Sequence, residues 1–274
     1  MAMLPNPLPK LATDPSGRSL GLQLPPGRLI DATIDGPWHE PLLWSADDPA
    51  RPGDWSALLP ARKAAGLHPV LIGSGGSAHN QQPEDWDLAP AMMSYPGDHD
   101  AEEVLEDFWE EYAADELSAP EDHPDDSTWP GLASATSPAL APDDVAADIA
   151  DALSAEDSWL SRARLALVPA RRSADIPAAL GWTGPLNHEN DVARLCSVLR
   201  SWEDRFGIRV VALTFDQLVV SVAAPPTTSD EAEAVAAEHF AFCPDNITQG
   251  SYADLHEYAA KAVLDQPAWS FWWD

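Results

Sequence analysis

Apolar residues recur along this chain in two periods, and changes of period mark its elements. Val192, Leu195, Leu199, Trp202 and Phe206 fall three and four residues apart. That spacing predicts a helix from about Asn190 to Phe206, and Gly207 stands where it stops. Two β-branched runs follow, Ile208–Phe215 and Leu218–Ala223, separated by Asp216-Gln217; they predict a hairpin. Thr228 and Glu231 have capping-box spacing and open a second helix. It must end near Cys243, because Pro244 disfavours helical backbone in the residue before it. Ser251 with Asp254 predicts a third helix, to about Leu264. Trp269, Phe271 and Trp273 alternate as a closing strand.

The pattern upstream is more broken. Ser19–Leu24 and Arg28–Thr33 alternate around Pro25-Pro-Gly27 and predict two short strands, with a third at Pro41–Ser45. Asp54 is placed to cap a helix over Trp55–Ala65 that stops at Gly66. His68–Gly73 reads as a buried strand. Over Asp100–Leu117, Val104, Leu105, Phe108, Trp109 and Tyr112 share one helical face, and Glu102, Glu103, Glu106, Asp107, Glu110 and Glu111 surround it. Asp143–Leu153 is an Ala-rich helix, Arg162–Pro169 a strand, and Ser173–Leu180 a short helix or turn.

Together these elements predict an α+β fold, a mixed β-sheet covered by helices, with an acidic, Pro-rich linker in the middle. The expected organisation is a disordered arm over 1–18 and an N-terminal α/β region over 19–117. A linker over 118–142 and a C-terminal α+β domain over 143–274 follow. Twelve tryptophans are many for 274 residues. Trp159, Trp182, Trp202, Trp269, Trp272 and Trp273 fall in the last 116, which places the better core there.

Charge changes the picture more than composition does. The net charge is −30, and residues 1–158 carry 30 acids against 6 bases. Neither Lys nor Arg occurs between Lys63 and Arg162. Such a chain is repelled by nucleic-acid phosphates and anionic membranes, which excludes both as partners and leaves a basic protein as the expected one. Only Cys196 and Cys243 are present, no signal peptide is legible in Met1-Ala-Met-Leu-Pro, and no apolar run is long enough to span a bilayer. A cytoplasmic protein is expected. Gly73-Ser-Gly-Gly-Ser77 follows a strand, but it lacks the Lys-Ser/Thr of a phosphate loop, and Glu84, Asp85 and Asp87 would repel a phosphate. It reads as a turn.

Four stretches carry a resemblance: Trp202-Glu-Asp-Arg-Phe-Gly207, Ala237-Glu-His-Phe-Ala-Phe-Cys-Pro-Asp245, Gln249-Gly250 and Trp269-Ser-Phe-Trp-Trp-Asp274. With them the chain resembles the bacterial domain of unknown function numbered 4253, most strongly over about 162–274. The resemblance implies a domain extent and no activity, substrate or cofactor.

Candidate chemistry concentrates in the same place. Glu238, His239, Cys243 and Asp245 are the cluster able to act in catalysis, with His239 and Cys243 on one helix face. A tetrahedral metal would need further donors, so no metal or cofactor is expected. Cys243 also sits at a helix C-terminus, whose partial negative charge disfavours a thiolate. The structural alternative makes Cys243 a small core residue, Pro244 a helix stop, and Asp245 and Asn246 backbone-bonding turn residues. Candidate ligand-binding side chains are Arg171, Arg172, Asn246 and Gln249. Phe108, Trp109 and Tyr112 are the candidate interaction surface, with docking on the protein's own core as the alternative. The leading expectation is a non-enzymatic acidic interaction module, immunity- or inhibitor-like towards a basic partner. The competing one is an enzyme built on Glu238, His239, Cys243 and Asp245.

Overall fold

A computed structural model describes residues 5–73, 83–116, 128–138 and 140–274. The fold is α+β. Its centre is a seven-stranded mixed sheet of β1 (Gly27–Ile30), β4 (Leu43–Pro49), β5 (Leu67–Ile72), β6 (Arg164–Pro169), β7 (Arg209–Leu213), β8 (Gln217–Ser221) and β9 (Ala268–Trp272). The spatial order is β1-β4-β6-β5-β7-β8-β9. Of these pairings only β5 with β7 is parallel. A separate two-stranded ribbon joins β2 (Ala32–Thr33) to β3 (Gly36–Pro37).

Both faces of the sheet are covered, which explains why its inner strands read as nearly continuous apolar runs. Every residue of β5 is buried. On one face lie Val70, Ile72, Ala166, Val168, Leu218 and Val220, packed in the core that also holds α5 (Ile176–Leu180), α6 (Val192–Phe206) and α7 (Ser229–Phe242). The other face carries Leu67, Leu71, Leu165, Leu167 and Val219. It is closed by α1 (Asp54–Ala57), α2 (Pro60–Ala65) and α4 (Pro142–Ser154). An acidic helix, α3 (Ala101–Glu116), packs on α6 and α7 rather than on the sheet.

Local sequence explains the helix ends. The Asp191 side chain accepts from the Ala193 N–H at the start of α6, and Gly207, at φ 65°, ends it in left-handed backbone that a Cβ would strain. The capping box of Thr228 and Glu231 forms on α7. Asp254, not Ser251, caps α8 (Leu255–Tyr258) by accepting from the Glu257 N–H, and a π-helical turn follows over Ala259–Val263. The helix expected over Trp55–Ala65 divides at Pro60, which has no N–H to donate back along a continuous helix.

Three expectations are revised. Ser19–Leu24 forms no strand. It contains a 3-10 turn at Arg18–Leu20 between two left-handed glycines, with Leu20 and Leu22 buried. The arm expected to be disordered over 1–18 is part of the fold from Pro5. Leu8–Ala12 is a 3-10 helix, and its i, i+3 pair Leu8 and Leu11 is buried in the second core. Met1–Leu4 lie outside the described residues.

The segment 118–142 does not divide the sheet, because β5 from the N-terminal half lies between β6 and β7 of the C-terminal half. Within that segment, residues 118–127 and 139 lie outside the described residues. Residues 128–138 form a tied strap: the Thr136 N–H donates to the Arg205 carbonyl, and Ala133 is buried. Most of the glycine-rich turn after β5, from Ser74, also lies outside the described residues.

Candidate functional site

Helix α7 delivers Glu238 and His239 to the interior side by side, yet their side chains serve different partners. Glu238 is fully buried. Its Oε1 accepts from the Ala133 N–H and from Arg205 Nη1, both at 2.7 Å. Its Oε2 accepts from Trp202 Nε1 at 2.7 Å and from Arg205 Nη2 at 2.6 Å. Arg205 Nη1 also donates to the Ala133 carbonyl. A buried carboxylate is costly unless it is paired and hydrogen-bonded; here its four lone-pair sites are occupied. The pair joins three elements: α6, α7 and the strap at Ala133.

His239 is also fully buried, ringed by Trp202, Trp269, Phe271 and Tyr258, with the Trp269 ring centroid 4.5 Å away. Its Nδ1 pairs with the Tyr258 hydroxyl at 3.0 Å, and its Nε2 is buried without a hydrogen-bond partner among the described residues. Burial, with the Arg205 charge adding to it, pushes the imidazole down to about 3, so it is neutral at physiological pH. Burial raises the Tyr258 phenol.

Cys243, Asp245 and Asn246 act on the last strand. β9 is an edge of the sheet, and its outer backbone groups need partners. Asn246 supplies two of them: its Nδ2 donates to the Ser270 carbonyl at 2.7 Å, and its Oδ1 accepts from the Trp272 N–H at 3.0 Å. The Cys243 thiol donates to the Trp272 carbonyl at 3.0 Å. One Asp245 oxygen accepts from the Asp274 N–H, and the other accepts from Gln249 Nε2. The Cys-Pro-Asp-Asn run therefore works as a clamp on the edge strand, in place of a further strand. Burial raises the Cys243 thiol far above its ordinary range, opposite to what a nucleophile requires.

The four candidate catalytic residues are thus near one another in sequence and split in space between an interior ion pair, an aromatic cage and an edge clamp. Among the described residues no group of three His, Cys, Asp or Glu is placed to hold a metal. The structural partners Arg205, Trp202 and Tyr258 are not legible as such in the sequence, because 19 to 36 residues separate them from the side chains they meet.

The other candidates lie elsewhere. Arg172 is tied to Glu203 at 3.2 Å and to Asp204 at 2.5 Å on α6. Arg171 is exposed, with its guanidinium 5.6 Å from the Tyr95 ring centroid. Asn246 and Gln249 are occupied in the clamp. Phe108 and Trp109 are buried in the protein's own core, which removes them as a free docking face. Trp109 meets Phe240 edge-on at 5.6 Å, and Phe108 lies between His188 and Arg194. Tyr112 is half-buried beside His188. The opposite face of α3 is solvent-exposed and carries Glu102, Glu103, Glu106, Asp107, Glu110 and Glu111.

With this geometry in place, comparison with known proteins gives a family match. Residues 164–274 match the family described as Domain of unknown function (DUF4253). The match spans β6 to β9 and α5 to the last strand, and it contains the ion pair of Arg205 with Glu238, the His239 cage and the edge clamp. No curated protein and no solved structure matches the chain. No helix among the described residues is long and apolar enough to cross a membrane.

Proposed function

We propose that this protein is a non-enzymatic, acidic interaction module that acts in the cytoplasm on a basic protein partner, in the manner of an immunity protein or inhibitor. The observation that carries the reading is the two-sided construction of α3. Val104, Leu105, Phe108 and Trp109 fix the helix to the body, and six carboxylates face solvent along its outer side. Like charges at this spacing destabilise a helix, so their retention on a well-anchored scaffold favours a use for the field they create.

The arginines add to this. Arg62 and Arg209 share Asp143, Arg194 bridges Asp107 and Glu189, and Arg205 is consumed by Glu238. Positive charge is thus largely spent inside the fold, and the excess acid is displayed. A surface of this kind accelerates encounter with a basic partner and rejects acidic ones. The sealed surroundings of Glu238, His239 and Cys243 support the same reading over the catalytic one.

The test is affinity capture from the native host with the intact chain as bait, beside a variant carrying Glu102→Gln, Glu103→Gln, Glu106→Gln and Glu110→Gln. The variant relieves repulsion along α3 and gives up two first-turn carboxylates that favour the helix dipole, so its melting temperature is compared with the original chain's. A basic protein should be retained by the original chain, be released by about 0.5 M salt, and fail to bind the variant. Recovery of no partner, or equal recovery by both baits, would overturn the proposal.

A further inference from the structure

At the end of the sheet where β6 leaves and β5 enters, a cleft of about 860 Å³ is lined by Leu20 and by four segments: 5–10, 64–66, 93–98 and 169–179. Its size falls in the range of small-molecule sites, roughly 300–1,000 Å³. Among the described residues, none of the edge clamp or of α3 lines it. We propose that it binds an uncharged, largely apolar small molecule.

The walls are in place before any ligand arrives. The arm that forms one of them is held by Leu8 and Leu11 in the second core. Pro5, Pro7, Pro96 and Pro169 stiffen the backbone around the cleft and bring no N–H group to it. Ala65, Ala170, Ala178 and Ala179 add short apolar side chains that leave space rather than fill it. Met93 is part of the same lining, and its unbranched thioether adapts to the outline of an apolar ligand.

Charge and hydrogen bonding decide the ligand class. Among the described residues, two cations, Lys10 and Arg171, and two carboxylates, Asp98 and Asp175, line the cleft, so their formal charges cancel. Lys10 and Asp98 are exposed and stay hydrated. Asp175 is buried, and Arg200 holds both its oxygens at 2.5 and 2.8 Å. Arg171 is engaged with Tyr95, its guanidinium 5.6 Å from the ring centroid. Neutral polar side chains are engaged as well. Asn6 donates to the Pro41 carbonyl and accepts from the Leu8 N–H, and the Ser94 hydroxyl pairs with His99 Nε2 at 2.6 Å. An ion of either sign would give up its hydration among groups already committed to other partners. An uncharged molecule loses little hydration and gains the burial of its apolar surface against the proline and alanine walls.

The experiment uses the full chain and three probes that share one ring system: uncharged 2-naphthylmethanol, anionic 2-naphthoate and cationic 2-naphthylmethylammonium. Titration calorimetry at neutral pH is the readout. The expected result is saturable 1:1 binding of the alcohol, with each ion at least about ten-fold weaker. This comparison is made on the original chain and does not depend on any variant. Ala65→Phe on α2 and Ala179→Phe on α5, both at half-buried positions, fill the cleft. Each should weaken the alcohol at least about ten-fold, with melting temperatures measured alongside. Lys10→Gln and Asp98→Asn, at exposed positions, should leave its affinity within about two-fold. No saturable binding of the alcohol, equal or tighter binding of either ion, undiminished binding by both folded filling variants, or loss of binding in either charge variant would overturn the proposal.

Discussion

Glu238→Gln is the substitution that most directly probes how this fold is held. The side chain keeps its size and loses its charge. One oxygen becomes an amide nitrogen, and either placement is unfavourable. At Oε1 the new donor would face the Ala133 N–H and Arg205 Nη1; at Oε2 it would face Trp202 Nε1 and Arg205 Nη2. One acceptor oxygen and the two hydrogen bonds it takes are lost, and the Arg205 guanidinium, 13% exposed at its side chain, keeps a charge without its counter-ion. Removing one partner of a buried pair costs about 3–5 kcal/mol, a large fraction of the roughly 5–15 kcal/mol that keeps a domain folded.

Urea unfolding followed by tryptophan fluorescence measures the loss directly, as a shift in midpoint at unchanged slope. Arg205→Met and Glu238→Met should each cost a similar amount. The double variant Arg205→Met, Glu238→Met should be more stable than the sum of the single losses, by about 2–3 kcal/mol. It will not recover fully, because the Ala133 N–H and Trp202 Nε1 lose their acceptor. A loss below about 1 kcal/mol for Glu238→Gln, or strictly additive singles, would refute the claim that this pair locks α6, α7 and the strap together.

Further outcomes follow from the same contacts. Asn246→Leu removes both bonds to the outer edge of β9 and should cost about 2–3 kcal/mol in urea unfolding, with amide exchange at Trp272 accelerated more than at the centre of β5; equal exchange at both would count against the clamp. For pH, burial holds His239 down to about 3 and His68 down to about 4, against 6.5 unfolded. The unfolded chain therefore binds more protons between those values, and stability should fall as pH drops from about 6.5 towards 4, by on the order of 3 kcal/mol for each histidine. His239→Leu should flatten that slope by one proton in melts at pH 6.5, 5.5 and 4.5. Cys196 and Cys243, both fully buried with thiols raised by burial, should resist a thiol-specific disulfide reagent until the chain is unfolded; rapid labelling in native buffer would contradict the clamp. A fragment of residues 143–274 should not fold cooperatively, because it lacks β5 between β6 and β7; a sharp melt for that fragment would show that the strand is dispensable.

How much of this was legible depends on the range over which each feature is determined. The stripe from Val192 to Phe206, the capping box at Thr228, the hairpin of β7 and β8 and the alternation of Trp269, Phe271 and Trp273 are set by residues within a turn or two of each other. Period and capping chemistry reveal them in the sequence. Leu8 and Leu11 carried the same kind of signal, but the surrounding prolines suggested an unpacked arm, and only the second core shows what they bury against. Over residues 128–138 the linker reading met the same limit. Low hydrophobicity over 118–142 describes composition, whereas Ala133 and Thr136 are fixed by Arg205 and Glu238, far along the chain.

The candidate site divides in the same way. The sequence by itself determined that Glu238, His239, Cys243 and Asp245 would share one helix and the turn that stops it, because period and Pro244 impose that. It also determined the charge of −30, the acidic face of α3 and the family to which residues 164–274 match. Tertiary structure decided what each side chain does. Arg205 and Trp202 claim Glu238, the aromatic cage with Tyr258 claims His239, and the unpaired edge of β9 claims Cys243 and Asn246. Desolvation and hydrogen-bond partnership are properties of packed surroundings, and those surroundings are assembled from strands and helices that the chain visits many residues apart.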